Sequence, residues 1–249
     1  MPKIIIVLPA YNAEKTLPQT LTDIPVEYRN NIILGDDCSK DNTVQVARNF
    51  GVVAIPHQIN KGYGGNQKTC YRAALKAGAD IVVMLHPDYQ YNPKVIPHLV
   101  GVIGNNICDM MLGNRIRTRR ETLTGGMPFY KYFSNRFLSV LCNIVTGENL
   151  GEWHSGMRAY SRKVLETISW EDNTDDFAFD MQFLVQASYF GFKIGDIPVE
   201  TKYFKEASSI NFYRSLKYGL HTLLILAQFA LEKSGLVKLR IFKRQYGKF

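Results

Sequence analysis

The first half of the chain alternates short apolar runs with amphipathic stretches. Lys3–Leu8, Ile32–Gly35, Val52–Ile55, Asp80–Leu85 and Cys108–Gly113 are rich in β-branched and other apolar residues. Near-continuous runs of this length predict strands of a mostly parallel sheet covered on both faces. Between them, Ala13–Thr22, Asp41–Phe50, Gly65–Gly78 and Pro93–Gly104 carry helical periodicity, with Asp41 placed to cap the second helix and Gly78 to end the third. This α/β rhythm implies right-handed crossovers and a ligand site at the carboxyl ends of the strands.

The second half reads differently. Pro128–Thr146 predicts an amphipathic helix, Met157–Ser161 a strand, Phe177–Phe190 a helix, and Lys193–Lys202 a hairpin or bent strand pair with Pro198 at its corner. Ile210–Glu232 is a long helical pattern. Its apolar stretch Gly219–Leu231 is shorter than the roughly 20 residues a bilayer span needs. That stretch suits a membrane interface, the surface of the domain or another subunit.

Composition narrows the class. The 249 residues are 46% apolar and 21% charged, which is ordinary for a globular protein and excludes disorder. Residues 1–208 are expected to form a catalytic domain, and 209–249 an apolar helix with a basic tail. The net charge of +8 is unevenly placed: Lys233, Lys238, Arg240, Lys243, Arg244 and Lys248 lie in a tail without an acidic residue. Such a tail fits an anionic membrane surface, nucleic acid or plain solubility. Cys38, Cys70, Cys108 and Cys142 form no CxxC pair, which argues against a zinc ribbon and for reduced thiols in a cytoplasmic setting. The first apolar run is too short for a signal peptide.

The chemistry-bearing residues fall where strands end. After the first strand comes Pro9-Ala10-Tyr11-Asn12-Ala13-Glu14, without the glycine fingerprint of a dinucleotide fold. After the second comes Gly35-Asp36-Asp37-Cys38-Ser39-Lys40-Asp41-Asn42-Thr43. A capped turn explains Asp41 and Asn42. The adjacent carboxylates of Asp36 and Asp37 repel and call for a ligand such as a ribose or a base edge. Asn60-Lys61-Gly62-Tyr63-Gly64-Gly65-Asn66-Gln67 is a glycine-rich turn feeding a helix, whose backbone N–H groups suit an anion. His86, Asp88 and Gln90 alternate, so an extended backbone sets them on one side, where they can hold a divalent cation beside a diphosphate.

The succession PAYNAE, GDDCSKDNT, NKGYGGNQ and HPDYQYNP, continued by Gly113-Asn114-Arg115, by His154 to Tyr160 and by Asp176 to Asp180, resembles the family 2 glycosyltransferases of the GT-A fold. The likeness spans about residues 3–205 and is nearest the dolichyl-phosphate mannosyltransferase and polyprenyl-phosphate branch. It implies an inverting glycosyltransferase that moves a sugar from a UDP- or GDP-linked donor to a polyprenyl phosphate, or alternatively to a glycan or glycolipid hydroxyl. By that likeness Pro9, Tyr11, Glu14, Asp36 and Asp37 hold the nucleoside, and Lys61 and Gly65 lie near the base or diphosphate. Asp88 is the main metal carboxylate, with Gln90 assisting. Ser155 and Arg158 sit on the acceptor side, and Arg115 and Lys205 steady phosphates.

The family's metal motif is usually Asp-x-Asp, and here His86 occupies the first position. Imidazole is a poorer ligand for Mg²⁺ than carboxylate but suits Mn²⁺. A hydroxyl acceptor requires a base, for which Asp176 comes first and Asp180 second. A phosphate acceptor requires cations, and Arg115, Arg117, Arg119 and Arg120 supply them or form a solvated loop. A sugar-nucleotide pyrophosphorylase is disfavoured, because PAYNAE lacks the glycine-rich basic signature of that class. A nucleic-acid binder leaves the acidic strand ends unexplained. Membrane contact at the cytoplasmic leaflet and a homo-oligomer are both compatible with the C-terminal segment.

Overall fold

A computed structural model of the chain describes residues 2–116, 118–124, 127–201 and 212–245. Seven strands form one sheet in the order β3-β2-β1-β4-β6-β5-β7. They are β1 (Ile4–Ala10), β2 (Ile32–Asp36), β3 (Val53–Pro56), β4 (Ile81–Met84), β5 (Met110–Asn114), β6 (Arg158–Ser161) and β7 (Ile194–Pro198). All neighbours are parallel except β6, which runs against both β4 and β5. Helices α1 (Leu17–Asp23), α2 (Thr43–Asn49), α3 (Gly62–Lys76), α4 (Ile96–Gly104), α5 (Arg119–Thr124), α6 (Phe129–Thr146), α7 (Arg162–Thr167), α8 (Phe179–Tyr189) and α9 (Phe212–Lys233) connect and cover it.

Strand β1 shows why the sheet is two-sided. Its pleat sends Ile5 and Val7 into one core, with Cys70 and Tyr71 of α3 and Phe179 and Phe183 of α8. Ile6 and Leu8 enter the other core, with Leu17 of α1, Ala47 of α2 and Leu99 of α4. Both cores are dry, so this strand reads as an unbroken apolar run rather than an alternating one.

Register sets the functional rim. Ala10 pairs with Asp36, so β1 and β2 end level, while β4 ends three residues earlier with Met84 beside Val7. Because β6 is antiparallel, its first residue pairs with both Met84 and Leu112. The loop leading into β6 therefore arrives at the same rim as the others' ends.

Several expectations are refined. Lys193–Lys202 is no hairpin: β7 is a single strand paired in parallel with β5, and Pro198 is its last residue, where a missing N–H is tolerated on an edge. A lone bridge between Tyr91 and Thr201 follows it. Asp41 precedes the N-cap of α2, yet its Oδ1 still accepts the Thr43 N–H at 3.0 Å. Gly78, at φ +80°, follows the C-cap Ala77 and ends α3 in the left-handed conformation. The start of the basic tail is no frayed end: Phe242 is buried against Tyr189 and Phe229, and Gln245 donates its N–H to the Thr167 carbonyl. Helix α9 shares that core through Ile225, Leu226 and Phe229. No helix among the described residues is long and apolar enough to cross a membrane.

Candidate active site

A single cleft of about 1210 Å³ opens along the rim. Asp37, from the end of β2, and Asp88, from the loop after β4, both line it. So do Pro9, Tyr11, His86, Gln90, Arg115, Asp176 and Asp180. Three of the four non-glycine residues at positive φ among the described residues, Asn12, Cys38 and Tyr89, lie in the loops that leave β1, β2 and β4. Such conformations are costly and cluster where a site needs a particular backbone path.

The glycine-rich turn differs from its expectation. Its N–H groups do not await an external anion, because Asp37 is that anion. Asp37 Oδ1 accepts from the Lys61 N–H at 2.7 Å, and Oδ2 from the Gly62 N–H at 3.0 Å. The Gly64 N–H goes to the Asp175 carbonyl at 2.7 Å. His57 Nδ1 also meets Asp37 Oδ1 at 3.0 Å. Glycine is required here sterically: a Cβ on Gly64 would lie 2.5 Å from the Thr174 carbonyl oxygen. The Lys61 side chain is exposed, while Gly65 is buried against Asp175, and neither lines the cleft.

Asp36 lies beneath that wall. Its Oδ2 accepts the Ser39 N–H, whereas its buried Oδ1 has no partner among the described residues. Glu14 stands outside the cleft and clamps Asn42 through both oxygens, at 3.0 and 2.9 Å. Donation from Asn42 holds its carboxyl below the ordinary value. Both acids shape the loops that carry Tyr11 and Asp37.

A relay absent from the sequence reading joins His86 to Asp180 within the cleft. The Tyr63 hydroxyl donates to Asp180 Oδ2 at 2.6 Å and meets His86 Nε2 at 3.1 Å. Burial first, and the Asp180 charge second, push the phenol well above its ordinary pKa, so it keeps its proton. One hydroxyl hydrogen serves one acceptor. With that hydrogen on Asp180, His86 must donate from Nε2, which leaves Nδ1 as its lone-pair nitrogen. The other oxygen of Asp180 accepts from Gln67 Nε2 at 3.0 Å and lies 3.6 Å from Arg158 Nη1. Asp180 is thus tied into structure on both oxygens.

The donor set for a cation is one carboxylate, one amide and one imidazole. Asp88 Oδ1 accepts the Gln90 N–H at 3.1 Å, which orients the carboxylate. The described residues hold no cluster of three or more His, Cys, Asp or Glu able to bind a metal alone. This donor set therefore fits a hard or borderline ion that completes its shell from a bound diphosphate.

The cleft also carries cations. Arg115 is gripped by the fully buried Glu152, whose Oε1 accepts from Arg115 Nε at 2.8 Å and also from Nη2, and whose Oε2 accepts the Arg115 N–H at 2.7 Å. Lys131 of α6 stands nearby, its pKa lowered by burial and then by the Arg115 charge. Lys217 of α9 lies 3.4 Å from Asp176 Oδ2. The Asp176 carboxyl is held below its ordinary value by the Phe177 N–H, with Lys217 adding to the effect against a smaller burial penalty. Ser155 and Arg158 are buried behind the wall rather than on it: Arg158 donates to the Ser155 and Asp180 carbonyls, each at 2.9 Å. Lys205 and Arg117 lie outside the described residues.

Glu152 sits in no motif that sequence inspection singled out, and Tyr63 was passed over as one residue of a glycine-rich turn. Only the fold reveals that both serve the site.

A seven-stranded sheet with one reversed strand, and acidic loops gathered at the rim, define the GT-A class of nucleotide-diphospho-sugar transferases. A glucosyl-3-phosphoglycerate synthase from Mycobacterium tuberculosis, solved with uridine diphosphate, superposes with a TM-score of 0.68 at 18% identity, covering 99% of this chain and 87% of the synthase. The same synthase with Mn²⁺, UDP-glucose and phosphoglyceric acid gives 0.67 at 17% identity, over 100% and 88%. The profile of glycosyl transferase family 2 matches residues 5–169, and the chain belongs to that family; it is a glycosyltransferase. A UDP-N-acetylglucosamine–dolichyl-phosphate N-acetylglucosaminyltransferase of Methanococcus voltae is 30% identical over 217 residues, 80% of this chain and 86% of its own length. A dolichyl-phosphate hexose transferase of Haloferax volcanii is 28% identical over 196 residues, 78% of this chain and 80% of its own.

Proposed function

We propose that this glycosyltransferase moves a sugar from a nucleoside-diphosphate donor, UDP- or GDP-linked, to a polyprenyl phosphate, with inversion at the anomeric carbon. The names of the Methanococcus and Haloferax relatives support a lipid-phosphate acceptor. The observation that carries the reading is the mixed lining of one cleft: the carboxylate of Asp88 and the amide of Gln90 share it with the cations Arg115, Lys131 and Lys217.

Tyr11 and Pro9 would flank the nucleoside, with Asp36, Glu14 and the Asp37-braced turn behind them; Lys61 and Gly65 would hold that turn in place. Asp88, Gln90 and the Nδ1 of His86 would hold Mg²⁺ or Mn²⁺, which supplies charge stabilisation to the departing diphosphate. Arg115 and Lys131 would seat the acceptor phosphate, with Lys205 a further candidate cation. Burial depresses Lys131 first and the Arg115 charge second, and an anion between the two cations would relieve the second effect.

A phosphate acceptor is its own nucleophile and requires no strong base. Asp176, held below its ordinary pKa, is a poor base, which favours phosphate over a glycan or glycolipid hydroxyl. Asp180 would position Tyr63 and Arg158 rather than take a proton, and Ser155 would brace Arg158. The reading also sets the enzyme at the cytoplasmic face of a membrane. The test is a thermal-shift panel of UDP- and GDP-sugars with and without Mn²⁺, followed by transfer to a short-chain polyprenyl phosphate. Selective stabilisation by one donor and label in the lipid phosphate support it; label only in a hydroxyl acceptor overturns it.

A further inference from the structure

Helix α6 is more than the wall of a cleft. Phe129, Phe133, Phe137, Val140 and Ile144 recur at helical spacing on it, and all are exposed, Phe137 at 67% and Ile144 at 73%. Helix α9, which packs beside it, shows the same feature: Leu216, Leu220, Leu223, Leu224 and Leu231 are exposed as well. A soluble monomer rarely leaves so many large apolar side chains together in water.

The charges on these helices are almost all of one sign. Residues 129–146 contain Lys131 and Arg136 and no acid; the one acidic residue of α9 is Glu232, which is partly buried and accepts the Leu239 N–H. Lys233 ends the helix, and Lys238 and Arg240 follow it, all exposed, with Arg240 paired to Asp172. A second copy laid on this surface would set basic residues against each other with few carboxylates to answer them. An anionic lipid leaflet takes the aromatic and leucine side chains into its acyl boundary and the lysines and arginines onto its head groups.

The same helices turn another flank to the cleft: Tyr130, Lys131 and Ser134 of α6, and Lys217, Tyr218 and His221 of α9. On α6 three cleft residues directly follow an outward aromatic, Tyr130 after Phe129, Ser134 after Phe133 and Leu138 after Phe137. The cleft flank of α6, with Lys131 on it, therefore lies alongside the apolar stripe.

We propose that the outward faces of α6 and α9 form one docking surface for an anionic bilayer, seating the protein so that a lipid-linked phosphate reaches Arg115 and Lys131 without leaving the membrane. The role assigned to the cleft rests on the lipid-phosphate reading above; the docking itself does not.

The test uses the full chain and the double variant Phe137→Glu/Leu224→Glu, both substitutions lying on exposed positions outside the cleft. Circular dichroism and thermal melting check that the variant folds. Flotation is run with phosphatidylcholine vesicles, with and without phosphatidylglycerol. The wild type is expected to float with the anionic vesicles, and the variant to bind them about tenfold or more weakly. Transfer to a vesicle-embedded polyprenyl phosphate should fall in parallel, while transfer to a short-chain, water-dispersed acceptor should be unchanged. A wild type that stays free of both vesicle types overturns the proposal. So does a wild-type dimer in sedimentation that the variant breaks while vesicle binding is unaltered. If both proteins float as expected yet neither glycosylates any phosphate acceptor, the docking surface stands and the acceptor reading fails.

Discussion

The Tyr63 hydroxyl donates to Asp180 Oδ2 at 2.6 Å, joining the glycine-rich turn after β3 to the start of α8. The same oxygen also meets His86 Nε2, so one cleft-lining phenol helps to set the ring orientation of a candidate metal ligand. Tyr63→Phe keeps the ring, which stacks on His86 and Phe177, and removes only the oxygen. Urea unfolding should show a loss of about 1–3 kcal/mol, since a buried carboxylate forfeits a donor. ¹⁵N spectra should show the His86 proton no longer confined to Nε2; an unchanged tautomer would refute the relay.

Asp88→Asn should lower turnover by about a hundredfold or more with little change in melting temperature, because the carboxylate faces the cleft rather than the core. Calorimetric titration of Mn²⁺ in the presence of the nucleoside diphosphate should show weaker binding. Equal affinity in the variant would remove Asp88 from the cation site.

Asp176→Asn separates the two acceptor chemistries. With a phosphate acceptor the rate should stay within about tenfold of wild type, as no proton has to be taken. A loss of about a thousandfold, measured at saturating donor, would mean that a hydroxyl is the nucleophile.

Glu152→Gln should destabilise the fold by about 3–5 kcal/mol, the usual cost of leaving one partner of a buried ion pair alone. Glu152 has no exposed surface and holds Arg115 at three nitrogen contacts. Chemical denaturation measures the loss, and the acceptor KM should rise with it.

The His154 ring gives a pH signature. Burial, then the charges of Arg115 and Arg158, lower its pKa from 6.5 to about 3. The folded protein therefore takes up this proton less readily than the unfolded chain. The stabilisation is complete above pH 6.5 and is lost progressively as pH falls toward about 3. Melting temperature followed downward from neutrality should drop through that window, and His154→Gln should flatten the drop.

The gathering of Pro9, Tyr11, Asp37 and Asp88 on one cleft was legible because they follow strands directly, each within a few positions of an apolar run. Local pattern fixes such placements. What escaped depended on long-range contact. Asp37 looked like a ligand for a nucleotide, yet it first braces the turn at Lys61 and Gly62, more than twenty positions on. Arg158 looked like a cleft residue, yet antiparallel β6 buries it under Asp180. The amphipathic pattern of α6 was plain, but an apolar stripe in a sequence does not say whether the core or the surroundings receives it. In α6 both do: Leu138 and Cys142 turn inward, while Phe133 and Phe137 turn out.

The reversed strand β6 divides labour between two kinds of scaffolding. Loops following β1, β2 and β4 are short and pinned by the parallel sheet, so whatever they grasp is recognised on a rigid template. The opposing half hangs on the passage from α6 into β6 and on α9, elements that can lengthen, tilt or change side chains without disturbing strand pairing. On the proposed reading, rewriting two helices would exchange the recipient of the sugar and leave the sheet that holds its carrier untouched.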